Sequence, residues 1–206
     1  MCGIIGIVGK ADVAGRLFDG LRRLEYRGYD SAGIATVHDG AIDRRRAAGK
    51  LDNLAQRLIQ TPLPGSIGIA HTRWATHGGP TEDNAHPHIV GDVSVVHNGI
   101  IENFKPLREE LIAEGRVFLS ETDTEVVAHL VARELERGAE PQAAVATVLP
   151  RLRGAFAVAV LFRTQPDLLI AARLGAPLTV GYGEGENYLG SDAHALASLT
   201  RRIAYL

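Results

Sequence analysis

Cys2 is the only cysteine of the 206-residue chain, and a glycine-flanked apolar run follows it directly. A cysteine becomes a nucleophile when a base of near-neutral pKa lies within reach of its thiol. Because cysteine has a small side chain, processing is expected to remove Met1 and leave Cys2 with a free α-amine. Such an amine titrates at ~7.7–8.0 and can accept a proton at neutral pH. The sequence therefore predicts a nucleophile and its base on one residue; the alternative is a buried cysteine that begins a strand.

Asn98 and Gly99 end a predicted buried strand and could assist an attack by Cys2. Attack of a thiolate on a carboxamide creates an oxyanion, which requires hydrogen-bond donors already in place. The asparagine could supply a side-chain NH₂ and the glycine a backbone N–H. Alone, this dipeptide favours an ordinary Asn-Gly turn; an oxyanion hole is the functional hypothesis.

Arg73 and Asp123 are candidate substrate-binding residues. Arg73 follows a buried strand and precedes a tryptophan, and its guanidinium suits bidentate binding of a carboxylate. Its alternative is a salt bridge to an acidic residue. Asp123 lies at the front of a predicted helix, where the helix dipole favours an acid, but in a cleft it could bind an ammonium group. Together the two residues would hold an amino acid by both ends of its zwitterion.

Five histidines crowd into one region of the chain: His71, His77, His86, His88 and His97. Their spacing matches no zinc template, and no second cysteine is available as a ligand. We therefore expect structural or supporting roles and no metal. The chain also lacks a phosphate-binding loop and a dinucleotide fingerprint, so no cofactor is expected.

The composition, 46% hydrophobic and 22% charged with a net charge of −2, is typical of a globular domain. Nothing in this balance indicates binding to nucleic acid or to a membrane surface. The one basic cluster, residues 44–46, is predicted to be the solvated end of a strand. A single cysteine permits no internal disulfide, and no apolar run has signal-peptide or membrane-spanning length. We therefore expect a cytoplasmic location.

Hydrophobic patterns predict an α+β or layered fold rather than regular βαβ alternation. Predicted strands cover residues 3–8, 33–37, 41–46, 67–70, 93–96, 155–161, 168–172, 178–180 and 188–189. Predicted helices cover residues 13–24, 51–60, 105–114, 126–136, 141–149 and 193–198, and residues 122–125 have capping-box spacing for the fourth of them. The polar stretch 71–92 is predicted to lack regular structure and to be functional. Residues 201–206 are predicted to be a strand that stops without a cap.

Six motifs, in one order along the whole chain, resemble the N-terminal glutaminase domain of the glucosamine-6-phosphate synthase (glutamine–fructose-6-phosphate aminotransferase, isomerising) family. The motifs are residues 1–6, 23–33, 71–78, 84–88, 96–103 and 122–125. An N-terminal Cys-Gly-Ile alone would indicate only the wider class II amidotransferases with an N-terminal nucleophile. The stretches 25–31 and 72–78 select the aminosugar enzymes.

This resemblance implies a four-layer αββα fold and hydrolysis of L-glutamine to glutamate and ammonia. By analogy Cys2 is the nucleophile and its α-amine the base, while Asn98 and Gly99 form the oxyanion hole. Arg73 would bind the α-carboxylate of glutamine and Asp123 its α-amine. The remaining assignments are Thr76 and His77 as pocket residues, Trp74 as a gate of the cleft and Arg27 as a support for the nucleophile.

The same resemblance implies a C-terminal sugar-phosphate isomerase domain that receives the ammonia and binds fructose 6-phosphate, and a homodimer of the full-length protein. We expect residues 1–206 to be the glutaminase domain alone, truncated at its C terminus. Glutaminase activity is thus the firmer prediction, because synthase activity needs the absent domain. Two alternatives stay open: an N-terminal-cysteine hydrolase of another amide, and a non-catalytic module that senses glutamine.

Overall fold

A computed structural model describes residues 2–206; Met1, whose removal the sequence predicts, lies outside the described residues. The strands are β1 (Gly3–Val8), β2 (Ser31–His38), β3 (Ala41–Ala48), β4 (Ile67–Arg73), β5 (His88–Val90), β6 (Val93–Gly99), β7 (Phe156–Phe162), β8 (Gln165–Leu174), β9 (Thr179–Tyr182), β10 (Asn187–Gly190) and β11 (Ile203–Tyr205). The helices are α1 (Ala14–Leu24), α2 (Leu51–Gln60), α3 (Phe104–Ala113), α4 (Thr124–Glu136), α5 (Pro141–Val148) and α6 (Ala193–Leu196).

The strands form two antiparallel sheets that pack face to face. The first has seven strands in the order β11-β9-β10-β1-β4-β2-β3, and the second has four in the order β5-β6-β7-β8. Helices α1, α2 and α6 cover the outer face of the first sheet, and α3, α4 and α5 cover that of the second. These layers confirm the αββα fold that the resemblance implied. Within residues 2–206, none of the helices has both the length and the apolar character needed to cross a membrane.

Strand β1 is apolar throughout because both of its faces are buried. Successive side chains of a strand point to opposite faces, so Ile4 packs between the sheets with Ile69 and Val96. Ile5 and Ile7 point the other way and pack under helix α1. Burial of each of these side chains stabilises the fold by roughly 1.5–3 kcal/mol. The strand that follows Cys2 is therefore anchored on two cores at once.

The same alternation brings polar side chains into the space between the sheets. In β4, Ile69 packs there, so His71 and Arg73 lie on the same face of the strand. The pairing of β1 with β4 sets Ile4 opposite His71. Cys2, just ahead of β1, consequently lies at the end of β4 that carries Arg73.

Strand β6 ends at the same edge of the sandwich. Because Val96 packs between the sheets, Asn98 faces the first sheet, where its Nδ2 donates to the carbonyl oxygen of Cys2 at 3.1 Å. His97 points the other way, and its Nδ1 lies 2.9 Å from Oγ1 of Thr124 in α4. The alternation of one strand thus sends neighbouring residues to two different layers.

The expectation that residues 71–92 lack regular structure is wrong at both ends of the stretch. Strand β4 continues to Arg73, and the short β5 pairs with β6. The polar side chains of His71 and Arg73 are buried, and this is why the hydrophobic pattern, which predicted a strand over 67–70, missed the last three residues of β4.

The basic cluster 44–46 is not the solvated end of a strand. Nη1 of Arg44 donates to the carbonyl of Pro87 at 3.1 Å, and Nη1 of Arg46 donates to that of Ala85 at 3.0 Å. The physical reason is that a loop lies against β3, and its carbonyl groups need donors once water is excluded. Both arginines are half-buried and hold this loop in place.

Of the two hydrogen bonds that define a capping box, only one forms at the predicted box before α4. Oγ1 of Thr122 accepts the N–H of Glu125 at 3.4 Å. The carboxylate of Glu125, however, accepts from the N–H groups of Leu119 and Ser120 at 2.8 and 2.7 Å. Glu125 is therefore used to close the preceding turn, because that turn folds back over the start of the helix.

Candidate active site

The Cys2 thiol lies partly exposed where β1, β4 and β6 meet. Its Sγ accepts the backbone N–H of Trp74 at 3.3 Å. Burial raises the pKa of this thiol, against the lowering effects of the Trp74 N–H and the Arg73 guanidinium. A thiol with a raised pKa is protonated at neutral pH, so nucleophilic attack from this position requires a base to take its proton.

Asn98 and Gly99 lie beside Cys2 as the last residues of β6, not as a free Asn-Gly turn. The Asn98 side chain is buried between the Cys2 carbonyl and the ring of His71, whose Nε2 lies 3.1 Å from Oδ1. Gly99 has a φ of +114°, and a Cβ there would lie 2.0 Å from the carbonyl oxygen of Ala155. Only glycine fits this backbone, so Gly99 is required by the chain geometry as well as by any chemistry.

Arg73 is buried, and within the described part of the chain it has no acidic partner. Its guanidinium donates to the carbonyl oxygens of His77, Gly78 and Gly79, the last two at 3.1 and 3.0 Å. None of the ion pairs formed within residues 2–206 includes it, so the salt-bridge alternative is not observed. Burial lowers its pKa, and the charges of Cys2 and Asp30 act in the opposite direction. A buried guanidinium held only by neutral carbonyls is suited to receive an anion.

Asp123 faces the same small space from the start of α4. It is 4% exposed, and its Oδ2 accepts the N–H of Ile101 at 2.8 Å. The side chain makes no capping hydrogen bond to the helix and is turned toward the pocket instead. Cys2, Arg73 and Asp123 together line a cavity of about 10 Å³, which is room for about one water molecule.

A second and larger cavity, of about 400 Å³, opens on the other side of Cys2. Trp74, Thr76 and Gly99 line both cavities. The remaining lining residues of the larger one are Arg27, Asn98, Ile100, Ala155, Gly175, Ala176 and Pro177. The sulfur atom thus stands between a narrow charged pocket and a wide opening.

Trp74, Thr76 and His77 form the wall between the site and solvent. Trp74 is 45% exposed and packs edge-on against Tyr29, with ring centroids 5.4 Å apart. Trp74 is therefore part of the cleft wall and not a core residue. The ring of His77 packs edge-on against Phe104 at 4.8 Å.

Two residues that position the site had no role in the sequence interpretation. Oδ2 of Asp30 accepts the N–H of Ala75 at 2.7 Å and anchors the segment that follows Arg73. Oδ2 of Asp192 holds Nη2 of Arg27 at 2.7 Å. Asp30 falls within the motif 23–33, so a signal for it existed. Asp192 lies 165 residues from its partner and in no motif.

Four of the five clustered histidines are buried next to the site, and two of them, His86 and His97, line its narrow pocket. The rings of His71 and His86 stack with centroids 4.1 Å apart, and His88 packs against His86 at 4.7 Å. Burial lowers the pKa of His71 and of His88 to about 3, and it lowers those of His86 and His97 as well. The four rings are neutral at pH 7. Among residues 2–206, no group of three His, Cys, Asp or Glu side chains is placed to hold a metal ion.

These buried rings predict a loss of stability in mild acid. The unfolded chain protonates a histidine at ~6.5, whereas folded His71 resists protonation down to about pH 3. The stabilisation is therefore complete above pH 6.5 and declines as the pH falls toward 3. His71 alone should lower the free energy of unfolding by about 2 kcal/mol between pH 7 and pH 5, and the other rings act in the same direction.

Urea unfolding at pH 7 and pH 5 measures this difference, with His71→Gln as the control. Removing the ring should make the pH dependence shallower by about one proton, which corresponds to about 1.4 kcal/mol per pH unit. Equal free energies of unfolding at the two pH values would contradict the prediction, as would an unchanged slope in the variant.

Comparisons with known proteins agree on one family. A family model described as a glutamine amidotransferase domain matches residues 71–198. Glutamine--fructose-6-phosphate aminotransferase (isomerizing) of Zymomonas mobilis is 70% identical over 206 residues, all of this chain and 34% of that protein. The protein of the same name from Brucella abortus is 66% identical with the same coverage. The chain therefore spans about a third of the length of these curated relatives.

Two solved structures illustrate the likeness in fold. Glutamine phosphoribosylpyrophosphate amidotransferase from B. subtilis, complexed with ADP and GMP, has a TM-score of 0.84 and 26% identity. The match covers 100% of this chain and 44% of that one. A glutamine aminotransferase class-II domain protein from Silicibacter pomeroyi has a TM-score of 0.64 and 17% identity, covering 92% and 88% of the two chains.

Proposed function

Since the chain belongs to the glutamine amidotransferase domain family, we propose that it hydrolyses L-glutamine to glutamate and ammonia. The family resemblance stated from the six motifs is confirmed by this match and by the whole-chain identity to the aminotransferases. The observation that carries the proposal is that the Cys2 thiol, the Arg73 guanidinium and the Asp123 carboxylate line one pocket. A substrate without a zwitterion would leave both charges unpaired, and such a site rejects it.

The reaction begins at Cys2 once Met1 has been removed. Its α-amine takes the thiol proton, and the sulfur attacks the carboxamide carbon of glutamine. The Nδ2–H of Asn98 and the N–H of Gly99 stabilise the oxyanion. The C–N bond then breaks, the proton passes to the leaving nitrogen, and ammonia departs from a glutamyl thioester. Water hydrolyses this thioester to glutamate and restores the thiol.

Binding of glutamine requires a local rearrangement, because a pocket of about 10 Å³ does not admit an amino acid. The carbonyls of residues 77–79 occupy the donors of Arg73, and the α-carboxylate of glutamine replaces them. A carboxylate brings a full negative charge and a bidentate geometry to the guanidinium, which neutral carbonyls do not, so this exchange favours the bound state. Asp123 takes the α-ammonium, while Trp74, Thr76 and His77 move with the segment and close over the substrate.

The relatives' names and the position of the larger cavity support a proposal for the fate of the ammonia. In a protein of the relatives' length, ammonia leaves Cys2 through the cavity of about 400 Å³, beside which Arg27 supports the nucleophile. A C-terminal sugar-phosphate isomerase domain uses it to convert fructose 6-phosphate to glucosamine 6-phosphate. The homodimer of the full-length protein and the cytoplasmic location stay predictions.

Intact mass together with a glutamate-release assay tests the proposal. We expect a mass that lacks one methionine and release of glutamate from L-glutamine, with little turnover of N-acetyl-L-glutamine. A processed chain that binds glutamine without releasing glutamate would support the glutamine-sensing module instead. Equal turnover of both amides would support a hydrolase of another substrate. Full activity with Met1 retained would exclude the α-amine as the base.

A further inference from the structure

The Asn98 amide is held at both of its ends. Nδ2 donates to the carbonyl oxygen of Cys2 at 3.1 Å, on the side of the reacting sulfur. At the other end, Oδ1 lies 3.1 Å from Nε2 of His71. An asparagine amide can rotate by half a turn at little steric cost, so its polar neighbours decide which end faces the site.

His71 favours the same orientation as the Cys2 carbonyl does, because its Nε2 must donate. The same nitrogen lies 2.9 Å from the backbone carbonyl oxygen of His97, which can only accept. Nε2 therefore carries the proton, and the Asn98 atom that faces it must be the oxygen. A rotated amide would set NH₂ against N–H at His71 and oxygen against oxygen at Cys2.

The surroundings keep the His71 ring and its tautomer constant. The ring is 0% exposed and stacks on His86 with an interplanar angle of 23°. Its Nδ1 has no hydrogen-bond partner within residues 2–206, so the single proton of the neutral ring gains nothing there. His71 lines neither of the two cavities at Cys2 and cannot touch a substrate in them.

We propose that His71 is a positioning residue for the oxyanion hole: its Nε2–H holds Oδ1 of Asn98 so that Nδ2 faces the substrate carbonyl. The inference rests on the proposed hydrolysis of glutamine. Without this bond only the Cys2 carbonyl still favours the productive orientation, so the rotated amide, which presents an oxygen to the developing oxyanion, becomes more populated. The interaction therefore matters when charge develops and not when glutamine first binds.

The test compares variants of the processed full chain in glutamate release. His71→Phe keeps a ring for stacking but lacks the donor. Its kcat should fall roughly 10- to 100-fold, which is less than the ~10²- to 10³-fold cost of removing an oxyanion-hole donor outright, with little change in KM. His71→Gln returns an N–H near the position of Nε2 and should restore most of the rate. His71→Asn is the matched control, because its shorter amide does not reach that position, and it decides the question if the phenylalanine variant does not fold.

Two ligands separate positioning from a general structural role. The γ-aldehyde analogue of glutamine adds the Cys2 thiol and places an oxyanion or hydroxyl in the hole, whereas L-glutamate forms no such adduct. His71→Phe should weaken inhibition by the aldehyde by the same factor as kcat and leave L-glutamate binding unchanged. A parallel loss for both ligands would overturn the proposal. His129→Phe removes another buried histidine that makes no bond to Asn98. It should change neither the inhibition by the aldehyde nor the binding of L-glutamate.

A double-mutant cycle supplies the remaining evidence. When Asn98→Ala has removed the amide, adding His71→Phe should cost no further activity. Additive losses would overturn the positioning role, as would an unaffected His71→Phe in a protein that Asn98→Ala inactivates. Failure of the proposed function would look different, because the wild-type chain would release no glutamate or Asn98→Ala would be fully active. Either of these two results would contradict the proposed glutamine hydrolysis, and the positioning role of His71 would be excluded together with it.

Discussion

Replacement of Cys2 by alanine should lower glutamine turnover by a factor on the order of 10⁴ to 10⁶, since loss of a covalent nucleophile removes the thioester route entirely. Binding of L-glutamate should change only a few-fold, because Arg73 and Asp123 are untouched. Glutamate release measures the first effect and calorimetry the second. Turnover within tenfold of the wild type would exclude Cys2 as the nucleophile.

The matched control blocks the α-amine without touching the thiol. The chain can be produced with a removable N-terminal extension and assayed before and after cleavage ahead of Cys2. The burial-raised pKa of the thiol makes the base necessary, so the extended chain should be nearly inactive and cleavage should restore turnover. In the cleaved chain the rate should rise with pH through the range of the amine, ~7.7–8.0. Equal rates before and after cleavage would contradict the assignment of the base.

Replacement of Arg73 by alanine should reduce kcat/KM for glutamine by roughly 10²- to 10⁴-fold, mainly through KM. The guanidinium offers two charge-assisted hydrogen bonds, each contributing about 1.5–3 kcal/mol, to the α-carboxylate. Arg73→Lys keeps the charge but lacks the planar fork, so an intermediate loss is expected. Initial rates over a range of glutamine concentrations separate KM from kcat.

A substrate without the α-carboxylate distinguishes binding from structural support. Arg73 also donates to the carbonyls of residues 77–79, so its loss alters the segment as well as the pocket. For 4-aminobutanamide, which keeps the amine and the amide but not the carboxylate, Arg73→Ala should cost little. In the same way, Asp123→Asn should cost little turnover of glutaramate, which keeps the carboxylate and the amide but lacks the amine. Equal losses with glutamine and 4-aminobutanamide would assign Arg73 a structural role only.

Much of the fold was predictable because hydrophobic periodicity is a local property. The helix expected over 51–60 is observed as Leu51–Gln60, and the strand expected over 3–8 is observed as Gly3–Val8. The prediction failed where buried faces carry polar side chains, as at the end of β4. It also failed at residues 44–46, where half-buried arginines satisfy the carbonyls of a distant loop.

The sequence by itself determined which groups are available for chemistry. A single cysteine at position 2, an Asn-Gly at a strand end and an arginine after a buried strand are properties of short stretches, and the six motifs linked them to one family. Only the tertiary structure decided how these groups meet. Cys2 and Asn98 are 96 residues apart, and sheet register and packing bring them into contact. Within residues 2–206 the Arg73 guanidinium is held by carbonyl groups and not by an acid, and the Nε2–H of His71 donates to Asn98. Both arrangements depend on how the chain folds around these side chains, which no local pattern can specify.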